Sequence, residues 1–291
     1  MWQISTNMLE LHEIERVSGL TSESFREKYL LPNKPVIITD LIDGWPAKNK
    51  WSLDYFKDQY GDIMVPVFSA KSSQSGKTYM SPDTKMRLGD YISAIQQGPT
   101  DLRLFLFNIF KVVPELKKDY RIHTIMNGFY NEFPFTFFGG EGSKVAMHYD
   151  IDLSHVFLTQ FDGRKRVVLF APEYSKHLYQ QPFTVASYVN IDQPDYEKYP
   201  ALKQVKGYDC VIERGDTIFI PSGYWHYITY IDSGFSMNQR ANESLPRKVK
   251  GVMNIAAHYV IDKGMNKLMG KKWGDIKQSM AVSRAKELEN A

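Results

Sequence analysis

Cysteine is almost missing from this chain. Cys210 is the only one among 291 residues, so no disulfide bond can form within the chain. The sequence also lacks an apolar run of about 18 residues or more, the length that a membrane-spanning helix needs. Residues 1–17 carry acidic and polar side chains unlike those of a secretory signal. These absences predict a protein without a membrane segment that works in a reducing compartment, for which we expect the cytoplasm.

A strong net charge is missing as well. The 36 Lys and Arg residues against 33 Asp and Glu residues leave a net charge of +3. From Pro246 onward, 10 basic and 4 acidic residues give +6, so the preceding part of the chain carries about −3. A basic tail can meet nucleic acid or an acidic partner. Because no aromatic-interleaved basic stripe accompanies it, a solvated helical face is the preferred interpretation, and nucleic acid stays open as the less favoured partner.

What the chain does contain is typical of a globular protein with a β-rich core: 43% hydrophobic, 24% charged and 14% aromatic residues. Residues 1–132 alternate helical and strand-like segments, and residues 243–291 have helical spacing. Between them lie short β-type runs separated by turn residues, at 135–138, 144–149, 155–161, 166–170, 187–190, 210–213, 217–220, 226–231 and 235–238. Many short strands with frequent turns predict a sandwich or a barrel.

The most informative pattern is His148-Tyr149-Asp150, followed much later by His226. Residues i and i+2 of a strand point the same way, so His148 and Asp150 can converge on one ion. Two imidazoles and one carboxylate form the facial triad of non-haem Fe(II) oxygenases. A His-x-acid match alone is expected about once by chance in such a chain. The setting of His226 therefore matters: a turn, a buried strand at 217–220 and a second turn precede it, as in a small barrel that aims a ligand inward.

With these residues, the chain resembles the JmjC and cupin-like family of Fe(II)- and 2-oxoglutarate-dependent oxygenases, and most of all the branch that includes the asparaginyl hydroxylase factor inhibiting HIF. The resemblance covers roughly residues 12–240. Its further matches are residues 34–38 with Trp45-Pro46 and Trp51, the G-x-K strand at 163–172, the second-ligand strand at 215–226 and the strand at 234–238. The combination is specific, whereas any one piece is not.

The resemblance implies a mainly β fold with flanking helices: a double-stranded β-helix, the cupin-like jelly roll, with N-terminal and C-terminal helical elements. We expect flanking helices and strands at 1–132, the JmjC/cupin core at 133–242 and a helical segment at 243–291. By similarity, His148, Asp150 and His226 are the catalytic iron ligands. Lys165 binds the far carboxylate of 2-oxoglutarate, and Asn238 hydrogen-bonds the cosubstrate or a metal-bound water. Strand alternation places Lys165 on the same face as two apolar residues, where a buried cation needs an anionic partner.

Three positions depart from the family's pattern. Val145 stands where relatives often have Thr or Ser, Phe105 replaces a tyrosine, and Arg240 replaces a substrate-lining aromatic residue. The cosubstrate pocket therefore needs other hydroxyl groups, and we expect them from Thr136 and Thr159, with Tyr130 as a further candidate. His155 is out of phase with the triad, so we expect a hydrogen-bonded strand histidine there rather than a ligand.

The function implied is a dioxygenase that hydroxylates a side chain of a protein or peptide. A lysine or arginine demethylase, and a hydroxylase of tRNA or of a small molecule, remain open alternatives of the same chemistry. Alternatives of other classes are a non-oxygenase cupin, such as a zinc isomerase or a metal-binding module, and a scaffold that dimerises through its helical tail. A homodimer through the C-terminal helices and a helix pair packed on its own barrel are equally compatible with the apolar spacing after Leu245.

Overall fold

Two β-sheets face each other across an apolar core in the computed structural model, which describes residues 9–69, 82–132 and 134–288. The strands are β1 (Glu10–His12), β2 (Arg16–Val17), β3 (Val36–Ile38), β4 (Met64–Val67), β5 (Thr84–Arg87), β6 (Arg103–Phe107), β7 (Phe135–Gly139), β8 (Lys144–His148), β9 (His155–Asp162), β10 (Lys165–Phe170), β11 (Lys206–Ile212), β12 (Thr217–Ile220), β13 (Trp225–Tyr230) and β14 (Gly234–Ala241).

The helices flank this sheet pair. They are α1 (Ser22–Phe25), α2 (Pro46–Lys50), α3 (Leu53–Tyr60), α4 (Leu88–Gln96), α5 (Ile109–Val112), α6 (Leu245–Ala256), α7 (Lys263–Met269) and α8 (Lys271–Lys286). π-helical segments at Arg26–Leu30 and Ala257–Asp262 continue α1 and α6, and 3₁₀ turns lie at Pro114–Lys118, Pro172–Ser175 and Pro200–Gln204. Among the described residues, no helix has the length and apolar character needed to cross a bilayer.

The sheet order confirms the predicted jelly roll. The five-stranded sheet runs β1-β11-β10-β13-β8, and the seven-stranded sheet runs β2-β3-β12-β9-β14-β7-β6. The eight strands from β7 to β14 supply four neighbours to each sheet, as in a double-stranded β-helix. Strands from the N-terminal segment extend both sheets, because β1 pairs with β11, β3 with β12 and β6 with β7.

An apolar layer between the sheets fixes which side chains point inward. Val156 and Leu158 of β9 meet Val167 and Leu169 of β10 in this layer. Because side chains alternate between the two faces of a strand, these residues set the inward phase of each strand. The same phase decides which polar residues enter the interior.

The outer face of the seven-stranded sheet is covered by the N-terminal helices. Trp51 and Phe56 pack there against Phe161 and Phe235. The Trp51 indole N–H donates to Asp119 at 3.0 Å, so the buried polar atom of this ring is satisfied. This apolar layer fixes the seven-stranded sheet from outside.

The C-terminal helices behave in two ways. Ala281 and Ala285 of α8 are buried in the apolar layer outside the five-stranded sheet, so this helix packs on its own barrel. By contrast, α6 and the segment after it leave large apolar side chains exposed, among them Val252, Met253 and Val260.

Some sequence expectations were wrong in detail. Residues 187–190 do not form a strand, although Ser187 makes an isolated bridge to Gln180. Glycine favours helix ends, which predicts a break at both Gly264 and Gly270; Gly264 lies inside α7 instead, whereas Gly270 with φ 52° does separate α7 from α8. Residues 70–84 are rich in Ser, Lys, Gly and Pro, which predicts a polar loop; they fall mostly outside the described residues, and the last of them, Thr84, begins β5.

Candidate metal centre

Two histidines from neighbouring strands meet at one end of the sheet pair. His148 ends β8, His226 lies at the start of β13, and the two are direct cross-strand partners. Their ring centroids are 4.2 Å apart. Cross-strand pairing therefore brings together two residues that are far apart in the chain.

The hydrogen bonds of these rings leave the metal-binding nitrogens free to bind. The Nδ1–H of His148 donates to the carbonyl oxygen of Ala146 at 2.8 Å, and the Nδ1–H of His226 donates to that of Tyr224 at 3.1 Å. A carbonyl can only accept, so each Nδ1 carries the proton and each Nε2 keeps its lone pair. Backbone-anchored imidazoles of this kind are typical of metal ligands.

Asp150 completes the group in the turn that follows β8. One ligand atom from each of His148, Asp150 and His226 lies within 4.8 Å of the others. Arg240 donates to Oδ1 of Asp150 at 2.9 Å, which leaves Oδ2 to face a metal ion. Two imidazole nitrogens and one carboxylate oxygen fit the donor set of a non-haem iron site, with half of an octahedral sphere left for other ligands.

The local electrostatics hold all three groups in their metal-binding forms. Burial lowers the pKa of His226 to about 4, with a further contribution from the neighbouring His148, whose own pKa is lowered by burial. Burial by itself raises the pKa of Asp150, but the Arg240 guanidinium and the two imidazoles bring it below its ordinary value on balance. Neutral imidazoles and an ionised carboxylate are the forms that bind a cation.

Lys165 lies deep in the interior, at the end of the β10–β13 strand pair opposite His226. Its side chain is almost fully buried, its Nζ donates to the Ser236 hydroxyl, and it sits 4.2 Å from the centroid of the Tyr230 ring. Burial lowers the pKa of Lys165 well below its ordinary value. Within the part of the chain that the structure describes, no carboxylate pairs with this ammonium group. A buried cation without an anion is costly, which marks the place of an anionic ligand.

Inward-facing rows of side chains connect Lys165 with the metal-binding residues. The strand pairing sets Lys165 opposite Tyr230 and Leu169 opposite His226. On β14 the inward row starts at Ser236, which contacts Lys165, and ends at Arg240, which contacts Asp150. Each row spans four residues, or roughly 13 Å. Lys165 and the metal-binding residues therefore lie at opposite ends of the same interior rows.

Asn238 stands midway along the β14 row. It is buried, and its Oδ1 accepts the backbone N–H of Phe135 at 3.2 Å. The amide NH₂ group is then the part of this side chain that can meet a ligand. The structure therefore brings Asn238 into the same row as the other interior polar residues.

Thr136 and Thr159 do not reach this interior. Both are cross-strand partners of Met237, which belongs to the apolar layer outside the seven-stranded sheet. The Thr136 hydroxyl donates to the carbonyl oxygen of Phe107 at 2.7 Å, and the Thr159 hydroxyl is 2.8 Å from that of Thr217. The strand phase thus turns both hydroxyls away from Lys165, contrary to the sequence expectation.

His155 lies apart from the triad, as expected. Its Nδ1 accepts the backbone N–H of Ser222 at 3.1 Å, and its ring stacks on Phe219. Burial lowers its pKa to about 3, and the nearby Arg247 adds to this shift. It is a neutral, hydrogen-bonded strand histidine.

Comparison with known families shows the family of the chain. The model of the cupin-like domain matches residues 22–256, most of the chain. The chain belongs to the cupin-like family. Among its relatives, Lysine-specific demethylase 8 of Xenopus tropicalis is 31% identical over 228 residues, 74% of this chain and 50% of that protein. Lysine-specific demethylase JMJ30 of Arabidopsis thaliana is 28% identical over 243 residues, 79% of this chain and 55% of that protein.

These demethylases are longer than the cupin-like chain, which spans about half of their length. The human tRNA wybutosine-synthesizing protein 5 is closer in size. It is 27% identical over 253 residues, which cover 77% of this chain and 76% of that protein. The expected membership of the JmjC and cupin-like family is confirmed, since the family model and the demethylase relatives agree.

Sequence reasoning missed two interior residues of this cupin-like chain and misjudged a third. Ser236 and Tyr230 line the surroundings of Lys165, and Arg240 was seen only as a missing aromatic residue. The sequence did carry a signal for Ser236 and Arg240. They lie two residues before and two residues after Asn238, so all three share one face of β14.

Proposed function

We propose that this chain is an Fe(II)- and 2-oxoglutarate-dependent dioxygenase that hydroxylates a side chain of a protein or peptide. The observation that carries the proposal is that Lys165 is buried without a carboxylate partner among the described residues. It shares the interior with a donor set of two histidines and one carboxylate. A zinc isomerase or a plain metal-binding cupin has no need for a buried ammonium group in the same interior as the metal.

In this proposal, each interior residue has one task. His148, Asp150 and His226 hold the iron through two Nε2 atoms and one carboxylate oxygen. Lys165 donates to the far carboxylate of 2-oxoglutarate, and a charge-assisted hydrogen bond of this kind is among the strong ones.

The Ser236 hydroxyl would serve in place of the hydroxyls missing at Val145 and Phe105, because it already contacts the lysine. Asn238, between the two ends, would donate from its amide group to the cosubstrate or to a water on the metal.

When bound, iron and 2-oxoglutarate would supply the oxidising chemistry with O₂ as the oxidant: one oxygen atom would enter the substrate C–H bond to give C–OH, and the other would enter succinate as 2-oxoglutarate loses CO₂. The protein positions the reactants and shapes a dry cavity around them. Apolar walls from Val167, Leu169 and Ile228 line the inner rows and keep water from the cosubstrate.

The substrate class follows from two considerations. Relatives of the chain are named lysine-specific and arginine-specific demethylases, and removal of an N-methyl group starts with the same hydroxylation. Another relative is named for wybutosine synthesis in tRNA, so a tRNA base is the second candidate. We favour a polypeptide side chain, and a panel of methylated and unmethylated peptides beside tRNA tests the choice by substrate-dependent succinate release.

The decisive experiment measures succinate release and metal content together. We expect the anaerobically purified chain to bind one equivalent of Fe(II) and to turn over 2-oxoglutarate, and His148→Ala and Asp150→Ala to lose both properties. Arg166→Gln, a change on the other face of β10, is the matched control and should behave as the wild type. Near-normal turnover in both triad variants would refute the proposal, and bound zinc without succinate release would favour the non-oxygenase cupin.

We further propose a homodimer formed through the C-terminal helices and a location in the cytoplasm. Support for the dimer comes from the exposed apolar face of α6 and the segment after it, formed by Leu245, Val249, Val252, Met253 and Val260. Exposed contiguous apolar surface of this kind marks an interaction site. Support for the compartment is that the single cysteine, Cys210, allows no disulfide bond within the chain.

A further inference from the structure

Arg240 is the one interior cation that contacts a candidate metal ligand in the described part of the chain. Its NH2 group donates to Oδ1 of Asp150 at 2.9 Å, and its NH1 group donates to Oδ1 of Asp152 at 3.2 Å. The side chains of Arg240 and Asp150 are each only 15% exposed. The guanidinium therefore bridges two carboxylates of the turn that follows β8.

Fold stability does not explain this cluster. Burying a guanidinium and a carboxylate costs solvation, and an apolar residue at such a place is often as stable or more so. The Nε–H of Arg240 is buried without an acceptor among the described residues, which adds to the cost. The strand pairing does not require a charged residue at this position either, since the neighbouring inward positions on β9 are occupied by the apolar residues Val156 and Leu158.

The geometry points to a positioning role for Arg240, which rests on the proposed function. A planar guanidinium that donates to two acceptors at once holds the two carboxylates in one arrangement relative to each other. With Oδ1 of Asp150 engaged by Arg240, Oδ2 is the oxygen left for a metal ion, and the carboxylate lies with one oxygen within 4.8 Å of a ring nitrogen of both histidines. We propose that Arg240 holds Asp150 as a one-oxygen ligand and thereby preorganises the metal site.

Two effects of Arg240 on the metal ion oppose each other. Its positive charge repels a divalent cation, whereas its hydrogen bonds remove the rotational freedom of the Asp150 side chain. Partners of metal ligands usually raise metal affinity, and their removal typically lowers it about 10- to 100-fold. We infer that orientation outweighs repulsion here, because Asp152 balances the charge of the guanidinium.

The test measures the affinity of the purified full chain for Co(II). The visible absorption of the bound ion reports binding, and no cosubstrate is present. We expect Arg240→Gln to bind Co(II) about 10- to 100-fold more weakly than the wild type. Arg240→Lys keeps the charge but cannot form the two-pronged contact, so it should bind as weakly as Arg240→Gln. Arg166→Gln removes a comparable Arg–Asp contact outside the site and should leave the affinity unchanged.

The outcomes separate the two proposals. Unchanged or tighter Co(II) binding by Arg240→Gln, or wild-type binding by Arg240→Lys, would overturn the positioning role and leave the proposed function standing. Wild-type protein that does not bind Co(II), or His148→Ala that binds it normally, would overturn the proposed function and this inference with it. Thermal melting of each variant shows whether a loss of binding reflects unfolding.

Discussion

Single residues carry the chemistry of this molecule, and Lys165 is the clearest case. Its position after Gly163 and its alternation with Val167 and Leu169 were visible in the sequence. The structure adds that its partners are a serine hydroxyl and an aromatic ring, with no carboxylate among the described residues. A buried cation without an anionic partner lowers the stability of the fold. Replacing Lys165 should therefore affect ligand binding and stability in opposite directions.

Lys165→Met should therefore weaken cosubstrate binding and leave the ligand-free protein as stable as before, or more stable. Loss of one hydrogen bond to a charged group costs about 1.5–3 kcal/mol, which is about a 10- to 100-fold rise in KM for 2-oxoglutarate. Succinate release measures KM, and urea unfolding measures stability. Arg164→Met is the control, since this neighbour is exposed and paired with Asp232. An unchanged KM in Lys165→Met would contradict the assignment of the lysine.

His123 makes a prediction about pH. The ring stacks on Trp45, its Nε2 has no partner among the described residues, and burial lowers its pKa from 6.5 to about 3. The unfolded chain takes up this proton as pH falls below about 6.5, whereas the folded chain does so only near 3. Stability from this residue is thus present above pH 6.5 and lost as the pH falls towards 3.

His123→Phe keeps the aromatic stack and removes the titration. Between pH 6.5 and 4.5 the variant should lose about 2–3 kcal/mol less stability than the wild type. Urea unfolding at the two pH values measures the difference. An equal loss in both proteins would show that His123 does not contribute to the acid sensitivity.

At the scale of helices and strands, local signals placed most elements. Ser52 is of a residue type that favours helix N-caps, and its hydroxyl accepts the backbone N–H of Tyr55 at 3.0 Å at the start of α3. Thr21 likewise forms a capping box at α1. By contrast, residues 187–190 have strand-like composition but no full strand partner, because composition cannot supply a neighbour.

Ser52→Ala tests the contribution of one cap. The change leaves a backbone N–H of α3 unsatisfied and should lower the free energy of unfolding by about 1 kcal/mol, measured by urea denaturation. Ser52→Asp keeps an acceptor and should stay close to the wild type. Equal destabilisation by both variants would mean that the side-chain hydroxyl does not act as a cap.

At the scale of the whole molecule, the C-terminal segment divides between two roles. α8 covers its own barrel through Ala281 and Ala285, whereas α6 and the residues after it expose large apolar side chains. The sequence left open whether the tail pairs subunits or packs on the barrel, and the structure gives α8 the second role. The exposed face of α6 is the part available for a second subunit.

Val252→Glu combined with Met253→Glu should convert the proposed dimer to a monomer, because charges would be buried at the interface. Light scattering after size exclusion gives the mass at several concentrations. Met64→Glu, at an apolar residue of β4 that is 57% exposed, is the control and should leave the mass unchanged. A wild-type chain that is monomeric at all concentrations would rule out this dimer.

The sequence by itself determined the residue types, the jelly-roll class, the family and most element positions, since turn residues, caps and strand alternation are local properties. It also placed Lys165 inward. It could not set the phase of β7 and β9, because large apolar residues on both faces of these strands hide the alternation. Thr136 and Thr159 were therefore assigned to the wrong face.

Only the tertiary structure decided which distant residues meet. Cross-strand register brings His148 to His226, and the packing of one sheet on the other brings Ser236 to Lys165 and Arg240 to Asp150; each contact joins segments 70 to 90 residues apart. A shift of one residue in any pairing would turn these side chains to the other face. The physical reason is that register is set by the packing of whole sheets, which no local stretch of sequence encodes.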